Sequence, residues 1–431
     1  PGTNRIQAQA KQATAPVNGW SDNWLAYTRY DGVMVTARDL ADLAAEGPRT
    51  QAILQALWRY AETGGTVVVA GPGDPRLPPT WKRFGRQAGG ATAYAVGFGQ
   101  CLHFAQVDPA KWTDDDWMLA RAAFSGTAQP WQRSRTIRDL QETFPVVDDL
   151  GVPVRGLFVL MVLFAAVIGP LNLWYLTKLK KRIWLLWTVP AISAVTCLLV
   201  MGYTVFGEGW SGHARVGSIT LLDQAGERAA TLGRTSYYSP LTPSGGLGYP
   251  EDAEVTPLGD DHAVFSGTSA LEWKGEQHLS RGWITARIPA HFALRRSEAS
   301  AKKRINLHRN GDGTLSAVNS LGVDLRSLAV ADEKGVLYAG GPIRAGSELP
   351  LRRQGDDPVA ADPLRGWREV YAQKDWSAAK PDDVRAADVL PPLSYLAVAE
   401  QSPFLEPGLK GAVRRPSPAV VIGLYSGLGK P

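Results

Sequence analysis

Few residues in this chain have both the type and the spacing to do chemistry, and each has a plainer reading. Cys101 and His103 stand two apart in Gly97–Phe104, GFGQCLHF, a run that reads as a strand, so both side chains fall on one face. A thiolate beside an imidazole is a nucleophile pair. A reactive cysteine also needs small neighbours and an exposed position. No G-x-C-x-G context surrounds Cys101, which favours a buried small side chain beside a partly exposed histidine. The glycines of Ala70–Pro75, AGPGDP, could cradle a phosphate, but no GK[ST] follows, and the P-loop reading fails. Asp114, Asp115 and Asp116 could hold a divalent cation. They follow Trp112-Thr113, however, and read as a helix start with Thr113 as N-cap and acids in the first turn. No G-x-S-x-G occurs at a strand end. No catalytic, cofactor-binding or metal-binding residue is therefore expected.

The elements around these residues form two soluble blocks and an apolar centre. Gly32–Thr36 reads as a buried strand. A helix over Pro48–Thr63 follows, with Ile53, Leu54, Leu57, Trp58 and Ala61 on one face, and Gly64-Gly65 ends it. Thr66–Ala70 is the next strand. Strand, helix, strand at this spacing predicts a parallel α/β sheet over residues 20–150.

Between the blocks, 156–177 and 183–207 contain no charged residue. Each run is long enough to cross roughly 30 Å of hydrocarbon as a helix. The reading is a two-helix transmembrane hairpin over 155–207. Kinks are expected at Pro170 and Pro190, and Trp174, Tyr175, Trp184 and Trp187 bracket the turn as interfacial aromatics. The turn, 178–182, carries Lys178, Lys180, Lys181 and Arg182. The positive-inside rule makes it cytoplasmic and puts both soluble blocks outside, in a multi-pass protein of the inner membrane. The partner this reading requires is the lipid bilayer. Neither span holds an ionisable residue, which argues against ion conduction. The net charge of +5 is dispersed over 431 residues, so no nucleic-acid partner is expected. The two cysteines, Cys101 and Cys197, are not expected to pair. The first residue, Pro1, suggests that the numbering begins inside a longer or processed chain.

From about 213 to 431 short alternating runs recur between Asn/Gly/Asp turns: Arg215–Asp223, Trp283–Ile288, Gly313–Gly322, Leu325–Asp332 and Gly335–Tyr338. A turn at 332–335 and a strand at Ser347–Leu351 follow from the same pattern. Two further strands, in SYLAVAEQSPF and AVVIGLYSG, close the domain. Such spacing predicts a mostly-β sandwich. A charged insertion at 353–390, with a helix near Leu364–Trp376, interrupts it. The Tyr/Ser/Pro/Gly stretch Thr235–Glu251 reads as a long connection, with a glycan- or peptide-binding loop as the alternative.

The pattern YDGVMVTARDL, a helix, TGGTVVVAGPGD and then GFGQ resembles the class I glutamine amidotransferase-like domain. That resemblance implies a flavodoxin-like α/β fold, incomplete here on its N-terminal side. The turn matching the family's nucleophile elbow, Ala70–Asp74, has no cysteine, so the activity does not carry over. With IGPLNLWYLTKLKKRIWLLWTVP, VNSLGVDLRSLAVADEKGVLY and SYLAVAEQSPF, the whole chain is similar to a family of bacterial membrane proteins. In these an amidotransferase-like domain precedes a helical hairpin and an Ig-like β domain. The resemblance implies an envelope role beside an ABC-transporter or AAA+ ATPase membrane complex. A non-enzymatic scaffold or accessory subunit is the leading expectation. A hydrolase or amidotransferase on the α/β domain and a glycan- or surface-binding β domain are the alternatives.

Overall fold

The computed structural model describes residues 14–45, 47–127, 136–147, 154–180, 182–208, 211–259, 269–354, 390–417 and 419–428. The expected insertion helix at 364–376 lies outside them.

The N-terminal block opens with β1 (Val33–Thr36), α1 (Ala37–Ala45), α2 (Pro48–Glu62) and β2 (Thr66–Ala70). β1 and β2 are parallel, with Val33 beside Val67 and Thr36 beside Ala70. α2 buries Ile53, Leu57, Trp58 and Ala61, as its periodicity predicts. Gly64, at φ +112°, lets the chain reverse, and the Gly65 N–H returns to the Tyr60 carbonyl at 2.9 Å. The periodicity passed over α1, which has a local start signal. Thr36 Oγ1 donates to Asp39 at 2.6 Å and accepts the Asp39 N–H at 3.1 Å, a capping box read directly from T-x-x-D.

The block continues with α3 (Pro79–Lys82), β3 (Gly85–Ala88), β4 (Ala91–Val96), β5 (Gly99–Phe104), α4 (Asp114–Thr127) and α5 (Ile137–Thr143). The sheet order is β1-β2-β5-β4-β3. β2 and β5 are parallel, whereas β3, β4 and β5 form an antiparallel meander. The domain is α/β as expected, but its described sheet is mixed and does not follow the all-parallel 2-1-3-4-5 order of a flavodoxin-like fold. The cause is local: Gly89-Gly90 and Gly97-Phe98 leave two residues between strands, and connections that short join only antiparallel neighbours.

The apolar centre forms α6 (Val154–Ala166), a π turn (Val167–Leu171), α7 (Asn172–Lys178), a short 3-10 turn (Arg182–Trp184) and α8 (Leu185–Glu208). Pro170 lies within the π turn, where an extra residue accommodates a ring that has no N–H to give. Pro190 lies inside α8, a single 24-residue helix.

The C-terminal half adds β6 (His213–Asp223), β7 (Arg228–Tyr238), β8 (Leu247–Pro250), β9 (Ala253–Leu258), β10 (Ala270–Trp273), β11 (Glu276–Arg281) and β12 (Ala290–Ala299). It continues with β13 (Ile305–Arg309), β14 (Leu315–Asn319), β15 (Leu325–Ala331), β16 (Leu337–Gly340), β17 (Glu348–Arg353), β18 (Ser394–Ala399), β19 (Val413–Arg415) and β20 (Ala419–Leu424). Among the described residues these build a large mixed sheet, in the order β13-β14-β17-β16-β15-β18-β20-β6-β7-β12-β9. β19 and β20 run parallel to β6, one after the other along the same edge. A separate three-stranded sheet is ordered β10-β11-β8. Ile305, Leu315 and Leu351 from one end of the large sheet share a core with Leu328, Tyr395 and Val421 from its middle.

The run Trp283–Ile288, expected as a strand, is a loop. Arg287 has φ +62°, which no strand allows. Trp283 Nε1 donates to the Ala270 carbonyl at 3.0 Å and Ile284 is buried, so the alternating pattern records two anchors of a loop. The strand follows instead, as β12.

The two soluble blocks pack against each other. Glu62, at the end of α2, is buried and receives the Arg228 guanidinium from the start of β7 and Trp81 Nε1 at 3.1 Å. A second contact joins the blocks: the Phe144 ring lies 4.5 Å from the Arg215 guanidinium and 5.5 Å from that of Arg234. Arg215 also donates to the Pro145 carbonyl at 2.9 Å. Replacing Arg228 by alanine leaves the Glu62 carboxylate buried without its cation, at a cost of about 3 kcal/mol or more. The expected outcome is a lower denaturation midpoint for Arg228→Ala, with the Glu62→Gln/Arg228→Met pair recovering much of the loss.

Candidate functional site

Ligands of open α/β sheets bind beyond the carboxyl ends of the parallel strands, so the loop after β2 is the first place for a site. Gly71 (φ +116°) and Gly73 (φ +125°) shape it. A Cβ on Gly71 would meet Val107 at 2.9 Å, so only glycine fits there. The polar groups around this loop serve its own geometry. His103 Nε2 lies 2.9 Å from the Gly71 carbonyl. Asp74 accepts the Arg76 N–H at 2.9 Å and pairs with Lys82 at 2.6 Å. Lys82 holds the Asp74 carboxyl below its ordinary range.

Cys101 is not part of this rim. Its side chain is fully buried, packed in the same core as Ile53, Leu57 and Val69. Burial pushes its thiol pKa up, away from the thiolate that catalysis would need. The Cys101–His103 pair thus takes its plainer reading: a core side chain, and a histidine that tethers a loop. Asp116 is likewise occupied. It accepts the Thr113 hydroxyl at 2.8 Å, and its N–H donates to Thr113 Oγ1 at 3.2 Å. In the stretch 235–251, expected as a long connection, Thr235–Tyr238 ends β7 and Leu247–Pro250 is β8, and Tyr238 is half-buried. Tyr237 and Tyr249 are buried, with hydroxyls 2.8 Å apart, and the Gly408 N–H donates to Tyr237.

Among the described residues, the helical centre is left almost uncovered by the rest of the chain. Two stretches, Phe158–Lys178 and Leu185–Gly202, are long and apolar enough to cross a membrane. Only 11% of the first and none of the second is buried by the rest of the protein. A core helix of a soluble domain would be mostly covered. Trp174, Tyr175, Trp184 and Trp187 near the turn are all more than half exposed. Lys178 Nζ sits 5.4 Å from the centre of the Trp174 ring. Lys180 takes φ +55°, and its N–H reaches the Thr177 carbonyl at 3.0 Å, which closes the first helix. Arg182 opens the following 3-10 turn, and Lys181 lies outside the described residues.

Between the helices the structure shows a contact that charge counting overlooked. Asn172 Nδ2 donates to Thr188 Oγ1 at 2.9 Å, and Asn172 is buried where its neighbours are exposed. An amide inside an apolar run was the available signal, since such a group needs a partner facing it.

No protein-family model matches this chain, and a search of curated proteins gave no match.

Two measurements follow. Removing either partner of the Asn172–Thr188 bond should weaken the packing of the two helices by about 1 kcal/mol. A double-mutant cycle over Asn172→Ala and Thr188→Ala, read by resistance of the hairpin to unfolding in mixed micelles, should show that the two effects do not add. For Cys101 the folded state favours the neutral thiol. Its stabilising contribution is complete below the unfolded value near 8.5 and declines as pH rises above it. Denaturation midpoints should therefore fall between pH 8 and about 10, and Cys101→Ala should flatten that slope.

Proposed function

We propose that this protein is a non-enzymatic membrane protein of the bacterial envelope, a scaffold or accessory subunit of a membrane complex. In this reading α6 to α8 form a transmembrane hairpin. The turn with Lys178, Lys180, Lys181 and Arg182 faces the cytosol, and both soluble domains lie outside. The single observation that carries it is the pair of long apolar helices left almost uncovered by the rest of the chain. Helices apolar on every face are unstable in water and at home in hydrocarbon.

The contacts between the two soluble blocks support the shared side: Glu62 with Arg228, and Phe144 with Arg215, join residues before the hairpin to residues after it. The resemblance to an amidotransferase-like domain followed by a hairpin and an Ig-like β domain is part of the same proposal. So is the sandwich, with β13, β14 and β17 folded over β15, β18 and β20. On that resemblance the partner is an ABC-transporter or AAA+ ATPase membrane complex. The non-enzymatic reading rests on the buried thiol of Cys101 and on polar groups at the strand ends that pair locally.

Sidedness and anchoring have separate tests. In intact cells, a cysteine introduced by Lys180→Cys should resist a membrane-impermeant maleimide and react once the membrane is opened; labelling in intact cells would reverse the orientation. The full-length protein should sediment with membranes after an alkaline carbonate wash, and its appearance in the supernatant would overturn the hairpin. Purification in mild detergent should bring down a permease or ATPase subunit, and recovery of the chain alone would count against the accessory role.

A further inference from the structure

The end of the large sheet that receives the chain from α8 gathers loops from distant parts of the sequence. β6 starts at His213, opposite Tyr238 at the end of β7 and opposite Val413 at the start of β19. Just beyond Tyr238, the Ser239 carbonyl accepts the Arg287 N–H at 2.8 Å. The Val413 N–H donates to the Gly212 carbonyl at 2.7 Å. Loops 239–246, 282–289 and 406–412 therefore meet at one end of the domain. Four residues lie between Glu208, the last of α8, and His213, a reach of at most about 18 Å over the five steps.

This end has an unusual surface. Leu241 is 54% exposed, Val413 47% and Ile288 37%. The other large apolar residues so exposed beyond residue 211, among those described, are Leu271 and Trp273 on β10. Arg287, Lys410 and Arg414 are exposed alongside, and Arg414 reaches Gln401 Oε1 at 3.3 Å. Glu406 is the one acid in the three loops. Exposed apolar side chains and cations gathered at one end of the domain match the boundary layer of a bilayer, where acyl chains meet anionic phosphates.

We propose that this end of the β domain is a second membrane contact: Leu241, Ile288 and Val413 enter the interfacial layer, and Arg287, Lys410 and Arg414 bind the phosphates of anionic phospholipids. The inference rests on the hairpin reading, because the helix end next to His213 is what brings this surface to the bilayer. It adds a docked posture to what would otherwise be a tethered domain. Three cations near a charged surface shift that docking equilibrium strongly, each by about fivefold.

The test uses the full-length chain carrying Cys197→Ser, reconstituted in phosphatidylcholine vesicles with and without one-third phosphatidylglycerol. An environment-sensitive fluorophore is attached through Leu241→Cys, Val413→Cys or, as a control, Lys334→Cys. Lys334 lies at the opposite end of the sheet, since Ala331 pairs with Ser394, Ser394 with Leu424, and Leu424 with Asp223. Labels at 241 and 413 should be quenched by a quencher carried on the lipid acyl chain, more strongly with phosphatidylglycerol, while the label at 334 is not. Adding Lys410→Glu and Arg414→Glu should cut the docked fraction by about tenfold or more. Absence of quenching at 241 and 413 in protein that still floats with the vesicles overturns the docking surface and leaves the hairpin standing. Protein that does not float overturns the hairpin itself. Quenching that ignores the charge reversal removes the anionic-lipid assignment. A spectral change that follows protein density instead of the lipid quencher assigns the surface to a second copy and also overturns the proposal.

Discussion

Phe144 and Arg215 are separated by the whole helical hairpin, yet the ring and the guanidinium lie 4.5 Å apart, and Arg215 donates to the carbonyl of Pro145, 70 residues earlier. Whatever lies between must leave that point and come back to it. A single crossing of any barrier would pull the two residues apart, whereas a pair of antiparallel helices with a tight turn satisfies the closure. The positive φ of Lys180 and the Asn172–Thr188 bond are local expressions of the same requirement. One makes the reversal sharp, and the other sets the two helices side by side.

The closure is reinforced where burial makes electrostatics strong. Glu62 and Arg228 come from elements on either side of the hairpin, and the carboxylate is almost wholly withdrawn from water. A lone buried charge is far more costly than a paired one, so the pairing resists separation of the blocks. Arg228 pairs with Glu62, the last residue of α2. Among the described residues, the outer face of the hairpin has no equivalent cover. Its leucines, valines and tryptophans stay uncovered, a state that a bilayer would relieve and water would not.

The α/β block shows why a cysteine on a strand is not by itself a site. A thiol becomes a nucleophile through exposure and electropositive surroundings, and Cys101 has neither, lying in the core that β5 shares with α2. The loop after β2 is built on two positive-φ glycines and held by His103. The chemistry of a site belongs to the residues at its rim and not to the sheet beneath them.

Much of this was legible in the sequence wherever the signal is local. α2 announced itself by the 3.6-residue spacing of Ile53, Leu57, Trp58 and Ala61, and β15 and β18 by short strand-like runs between turns. The length and apolarity of the two central helices needed only composition. Local backbone preference and side-chain periodicity act over a few residues, so they survive without the fold. The antiparallel meander β3-β4-β5, the loop at Trp283–Ile288 and the inward-facing hydroxyls of Tyr237 and Tyr249 did not. The same holds for Glu62 with Arg228, 166 residues apart, and for the gathering of Leu241, Ile288 and Val413 at one end of the sheet. Those depend on which distant segments share a core, and a buried carboxylate or an exposed leucine has its meaning only once its neighbours are in place.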